Sequence, residues 1–237
     1  MKIAMIHGQV DQENTYQLTR LFIDALTTEG TVVKEYLMSE DDPEFCTICR
    51  TCFLEGNKEC RDADAVRPIV EEIEAADLII LSSSTVDMGM TGAMKAFLDH
   101  MSYRWISHRP HVEMFKKTGL VISTSTESGW RRVCRDLARN LLYMGVPKVY
   151  HFGSNLGYLS WDEIPAMKKE RLRRRAKLIA ESIRHNIGTE EAGLKSYLLF
   201  TYMKYRQRKN NWNHLDKAHW QQNGWLSGRD PWAHRYR

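Results

Sequence analysis

No apolar run in this 237-residue chain approaches the roughly 18 residues needed to span a bilayer. The opening MKIAMIHG carries a lysine but is not followed by an apolar stretch of roughly 7–15 residues, so no secretory signal is read there. Internal repeats and low-complexity segments are absent, which excludes solenoids and disordered tracts. Several chemical signatures are missing as well: GxGxxG, a Walker lysine, HExxH and any Ser-His-Asp order. A dinucleotide fingerprint, a phosphate-binding P-loop, a zinc protease helix and an acyl-transfer triad are thereby set aside. The expectation is a cytoplasmic protein with no membrane association, whose thiols stay reduced and form no structural disulfides.

What is present is a core-forming body and a different tail. Hydrophobic residues make up 43% of the chain, enough for one large domain with or without an appendage. The net charge is +4, yet residues 195–237 alone carry nine Lys or Arg against two Asp or Glu. The same stretch holds four of the seven tryptophans: Trp212, Trp220, Trp225 and Trp232. The chain is therefore divided at about residue 188, into a body (1–188) and a basic, aromatic arm (189–237).

Along the body, apolar strand-like runs alternate with helical patterns. Strands are expected at 2–6, 31–37, 77–82, 118–124 and 148–152. Leu18, Leu21, Phe22 and Leu26 recur at helical spacing after the first. Further helices are expected at 64–76, 92–103, 130–145 and about 162–187, with Pro68 in a first turn and Gly145 as a C-terminal stop. Five strands each followed by a helix imply a doubly wound α/β fold with a parallel sheet. A cysteine-rich excursion interrupts this order after the second strand.

Ligands on such sheets bind beyond the carboxyl ends of the strands. Three loops end there. HGQVDQENT leads into a helix with Asn14 or Thr15 as N-cap, and suits a phosphate. SSSTVDMGMTG is long for a βα loop and rich in hydroxyls. STSTESGW repeats the pattern after the fourth strand. Asp87 and Glu127 are candidates for a carboxylate pair; Met88 and Met90 are read as packing groups. His100, His108, His111 and His151 are read as structural or surface groups. With no side-chain nucleophile in view, an organic cofactor fits these loops best.

CTICRTCFLEGNKEC places Cys46, Cys49, Cys52 and Cys60 at C-x2-C-x2-C-x7-C. An iron–sulfur cluster, a zinc site and free or redox-active thiols all remain open on spacing alone. Cys134 falls within a helix and is read as a buried hydrophobe.

Taken in order, HGQVDQENT, CTICRTCFLEGNKEC and SSSTVDMGMTGAMKAFLDH resemble the flavodoxin-like NAD(P)H-dependent FMN reductases, and most closely their iron–sulfur flavoprotein branch. The likeness covers about residues 1–185. The family's first loop reads GSPRxxGNT; Asn14 and Thr15 match it, while Gly8, Gln9, Val10 and Glu13 stand where the family has Ser, Pro, Arg and Gly. In the second loop, SPVYFGSMSGxxKAF, the matches are Ser83, Met90, Gly92, Lys95, Ala96 and Phe97, with Val86 in place of tyrosine.

The resemblance implies a five-stranded sheet of order 2-1-3-4-5. It also implies FMN, with phosphate contacts from Gly8, Gln9, Asn14, Thr15 and Tyr16. The ring is expected against Ser83, Ser84, Thr85, Val86, Asp87 and Met88 on one side and Thr124, Ser125, Thr126, Glu127 and Gly129 on the other. Cys46, Cys49, Cys52 and Cys60 are implied as ligands of a [4Fe–4S] cluster. NAD(P)H is the implied donor, with a ferredoxin-type protein as a further electron partner and a homodimer or homotetramer as the assembly.

The arm has two uses on sequence grounds. Cations interleaved with aromatics bind single-stranded nucleic acid; the preferred reading is instead a packing arm whose SYLLFTYMKY starts an amphipathic helix. Three functions follow: an FMN oxidoreductase, a non-catalytic redox carrier or sensor with the same cofactors, and a flavodoxin-like binding protein that has lost FMN.

Overall fold

The computed structural model describes residues 1–9, 14–38, 43–189 and 192–232. Five parallel strands form one sheet in the order β2-β1-β3-β4-β5. They are β1 (Lys2–His7), β2 (Val32–Leu37), β3 (Leu78–Ser82), β4 (Thr118–Ser125) and β5 (Lys148–Asn155). β3 and β4 are buried along their whole length, as continuous apolar runs require when helices cover both faces. The edge strand β2 alternates more and less exposed residues instead.

Side-chain alternation sorts the core into two layers. Ile3 and Met5 of β1 pack with Leu18, Phe22 and Leu26 of α1 (Asn14–Leu26) and with Leu172, Ala176 and Ala180 of α6 (Ala166–Asn186). Ala4 and Ile6 point the other way. They meet α3 (Ala63–Ala75), α4 (Gly92–His100) and α5 (Trp130–Met144). α5 ends as the sequence suggests: Gly145 is left-handed at φ 111°, and its N–H reaches the Leu141 and Leu142 carbonyls. Cys134 is buried in this layer, and its thiol donates to the Phe152 carbonyl at 3.3 Å.

Three local expectations are corrected. Asn14 and Thr15 lie inside the first turn of α1 rather than at its cap. Pro68 sits at the sixth position of α3, on the exposed side, where solvent takes up the unpaired carbonyl. The arm helix α7 (Leu194–Arg208) is not amphipathic: it buries only Ser196, Phe200 and Gln207, while Leu194, Tyr197, Leu198, Tyr202 and Tyr205 are exposed.

The arm packs on the body through a third apolar cluster. Phe200 stacks on Trp220 of α8 (His214–Gln222), with ring centres 4.9 Å apart. Trp225 closes edge-on against Phe115, and Ile106 completes the contact. Trp212 stays largely exposed.

At Gly153 of β5, an added Cβ would lie 2.4 Å from both the Ser123 carbonyl oxygen and the Trp130 ring. Gly153→Ala is expected to destabilise the protein by about 1–3 kcal/mol or more, because backbone cannot yield as a side chain can. Urea unfolding checks this; an unchanged midpoint would show that β5 and α5 separate easily.

Candidate functional site

The ends of the central strands coincide: His7 pairs with Ser82, and Ser82 with Ile122. The three loops of interest therefore leave one edge of the sheet side by side. Where the apolar runs stop, hydroxyls take over, and they bond to one another. Thr15 Oγ1 lies 2.6 Å from Ser84 Oγ and 2.5 Å from Thr124 Oγ1. Thr85 Oγ1 lies 3.2 Å from Ser123 Oγ, and the Thr85 N–H donates to the Thr124 carbonyl at 2.9 Å. Ser83 Oγ accepts from the Thr91 N–H at 3.0 Å, and the Thr91 hydroxyl donates to the Gly8 carbonyl at 2.7 Å. His7 Nδ1 and Ser82 Oγ are 2.5 Å apart.

Gly8, Gln9, Asn14, Thr15 and Tyr16 all stand on this edge; residues 10–13 of the same loop, including Val10 and Glu13, lie outside the described residues. Asn14 donates its side-chain amide to the Leu159 carbonyl at 2.8 Å. Its Oδ1 and the Oε1 of Gln9 are buried without a hydrogen-bond partner among the described residues. The first-turn N–H groups of α1 suit a phosphoryl group, whereas these two amide oxygens are acceptors and call for a donor.

The loops after β3 and β4 touch. A Cβ on Gly129, whose φ is 108°, would lie 2.7 Å from Thr85 Cγ2 and 3.2 Å from Met88 Sδ. Val86 and Gly89 close a two-residue turn with reciprocal hydrogen bonds of 2.9 and 2.8 Å. Asp87 and Met88 inside it are left-handed, at φ 47° and 61°. Such turns favour Asn-Gly; a methionine there costs about 1–2 kcal/mol. Ser125 bonds to Asn155 Oδ1 at 2.7 Å. Thr126, Glu127, Val86 and Asp87 are exposed, and no hydrogen bond joins Asp87 to Glu127 among the described residues.

The cysteine segment builds a second site. All four thiols line one cavity of about 410 Å³, walled by Val66 and Val70 of α3 and by His100 and Tyr103. The loop reaches this shape through left-handed backbone at Ile48 (φ 57°) and Arg50 (φ 66°), on either side of Cys49. A β-branched residue in that region is strained, and such strain gathers at functional sites. Burial, then the neighbouring Cys60, Cys46 and Cys49, push the Cys52 thiol up to about 11, against the opposing charge of Arg109. Burial also raises Cys60. Cys49 is lowered by hydrogen bonds from Thr51.

His100 is not a surface group. Its Nε2 donates to the Glu44 carbonyl at 2.8 Å, and its Nδ1 faces Cys60 Sγ at 3.8 Å. Cys60, Asp62 and His100 bring one ligand atom each within 4.8 Å of one another. The other three sulfurs lie around the cavity wall rather than in this tighter group. His108 and Arg109 also reach the loop, and both are held from behind by Asp216 of α8. Sequence reasoning passed over His100, Arg109 and Asp216. The one available signal was Asp216 as one of two acids in a basic stretch.

In metal-free protein, alkylation rates at neutral pH should fall in the order Cys49, Cys52, Cys134, since the thiolate is the nucleophile. Cys134 is the slow limit, pushed up to about 12 by burial. Peptide mapping after timed iodoacetamide exposure reads the order; Cys52 reacting ahead of Cys49 would contradict the geometry.

An iron–sulfur flavoprotein of Archaeoglobus fulgidus is 29% identical over 97 residues, which cover 41% of this chain and 42% of that protein. The match thus spans less than half of that relative. Among solved structures, a flavone reductase superposes with a TM-score of 0.58 at 16% identity, covering 78% of this chain and 63% of that one. An FMN-dependent NADH-azoreductase from Bacillus anthracis str. Ames Ancestor, in complex with FMN, gives 0.58 at 12% identity, covering 76% and 100%. These likenesses show the flavodoxin-like fold. Residues 1–156 match the pattern of the NADPH-dependent FMN reductases, and the chain belongs to that family.

Proposed function

We propose that this protein is an FMN-dependent oxidoreductase that also carries a [4Fe–4S] cluster on Cys46, Cys49, Cys52 and Cys60. In this reading it moves electrons between NAD(P)H, or a ferredoxin-type donor, and a small-molecule or protein acceptor. The observation that carries the cluster is the convergence of four reduced thiols on one cavity. Thiolates are the ligands that iron–sulfur clusters take, and a short C-x2-C-x2-C wrap with a distant fourth cysteine encloses one cubane. Bound FMN supplies exchange between two-electron and one-electron carriers.

The chain's own residues set the sites. The first-turn N–H groups of α1 hold the phosphoryl group. The hydroxyls of Thr15, Ser84 and Thr124 are already fixed by one another, so they offer donors without further ordering. The loops after β3 and β4 meet at Thr85 and Gly129 and form a polar floor for the ring. At the cysteine site each thiol must give up its proton on ligation, and Cys52 holds its own most tightly. The cations of the arm give an acidic electron partner a complementary face. The exposed apolar residues of α7 support the homodimer or homotetramer. Among the described residues no helix is long and apolar enough to cross a membrane.

Protein purified without oxygen should show flavin bands and about four irons per chain. Cys60→Ser should lose iron and keep FMN. Flavin without iron in the wild type would remove the cluster and leave a simple FMN reductase. A spectrum that no NAD(P)H bleaches would favour the carrier or sensor. Thr15→Val should weaken FMN binding by about tenfold, one hydrogen bond's worth, measured by fluorescence titration of FMN into apoprotein; an unchanged affinity would move the phosphate away from this loop.

A further inference from the structure

The cysteine loop does not hold itself. Its helical turns, α2 (Thr51–Leu54) and a 3-10 turn at Asn57–Glu59, are four and three residues long, and helices of that length are unstable alone. The internal hydrogen bonds are local, such as Phe53 N–H to the Arg50 carbonyl at 2.9 Å. The left-handed Ile48 and Arg50 pull against the shape that turns the thiols inward. Something outside the loop must restrain it.

That restraint comes from the segment after α4 and from the arm. Arg109 donates to the Cys52 carbonyl and, at 3.2 Å, to the Phe53 carbonyl. Asn213 donates its side-chain amide to the same Phe53 carbonyl at 3.1 Å. The Phe53 ring meets His108 edge-on, with centres 4.6 Å apart. Behind these contacts stands Asp216, 0% exposed. Its carboxylate accepts from Arg109 at 2.5 Å and from His108 Nδ1 at 2.7 Å, while its own N–H caps onto Asn213 Oδ1 at 3.0 Å. A fully buried carboxylate is retained only with partners of this kind. The arm's apolar packing delivers it, since Trp220 Nε1 donates to the His108 carbonyl at 2.7 Å.

We propose that the C-terminal arm is a positioning element of the cysteine site: Asp216 orients Arg109, Arg109 anchors the Cys52 and Phe53 carbonyls, and the four thiols are thereby kept facing one cavity. The part of this that concerns a cluster rests on the function proposed above; the part that concerns the loop does not. Arg109 has a second consequence for a loaded site. Its positive charge beside Cys52 favours the more negative, reduced state, and cluster potentials follow local charge and hydrogen bonding.

The test uses the full chain with Asp216→Asn, and with Arg109→Met and Asp216→Asn combined. The double variant leaves no buried charge unpaired and so guards against simple misfolding. Metal-free protein is alkylated with iodoacetamide and Cys52 is compared with Cys134 by peptide mapping. In Asp216→Asn, which keeps the Arg109 charge that favours the Cys52 thiolate, Cys52 should react about tenfold faster or more than in the wild type, from the loss of charged hydrogen bonds, with Cys134 unchanged in both variants. In iron-loaded protein, Arg109→Met should give a more negative midpoint potential. Unchanged Cys52 reactivity in Asp216→Asn overturns the proposal. So does acceleration of Cys134 in step with Cys52, which would mean that the whole domain has loosened. Iron absent from the wild type overturns the cluster reading and not the arm's role, because the alkylation is read on metal-free protein.

Discussion

Everything at the carboxyl edge depends on β1 pairing in parallel with β2 on one side and β3 on the other. The chain leaves β1 into α1 on one face of the sheet and returns through α3 and α4 on the opposite face. The loops that follow β1 and β3 therefore depart to opposite faces, while the Thr91 hydroxyl and the Gly8 carbonyl keep their bases joined at the edge. Hydroxyls at strand ends so deeply buried are costly unless each finds a partner. Thr15, Ser84 and Thr124 solve this by bonding to one another across three elements. The same network that makes the strand ends stable also makes this polar edge rigid.

The cysteine site answers to a different constraint, the mutual repulsion of four thiols gathered round one cavity. Cys52 feels this most, since burial and three neighbouring sulfurs all oppose its thiolate. Positive charge relieves it, and Arg109 stands at the cavity edge. The strained residues Ile48 and Arg50 place the sulfurs where that charge can reach them. His100 adds a polar group at Cys60, held in orientation by the Glu44 carbonyl.

The fold was legible because its signals are local and periodic. The apolar run of β3 and the i, i+4, i+8 row Leu18, Phe22, Leu26 each report burial within a few residues. The cysteine set was legible for the same reason, as four ligand-type residues within one short segment. Arg109 and Asp216 were not, because they are 107 residues apart and each looks like surface charge until the arm folds back. The reading of α7 failed for a related reason. Its apolar residues suggest one buried face, but the contact with the body is a narrow stripe through Phe200, and tertiary geometry rather than pattern decides which side chains are covered. Asn14 was taken for a cap because its side chain suits one, yet that amide reaches to Leu159 instead.

The arm's composition makes sense once inside and outside are separated. Trp220 and Trp225 are spent on the body, and Asp216 is enclosed between His108 and Arg109. Arg206, Arg208 and Lys209 remain exposed at the end of α7. Enclosing an acid while leaving the cations in water makes the outer surface of the arm more positive than its formal charge. The same fold-back that braces the cysteine loop thus sets a basic face on the protein, and exposed charge of one sign acts on encounter rate more than on fold. Removing Asp216 would disturb the loop and leave that outer charge intact, so the two consequences of the arm are physically separable.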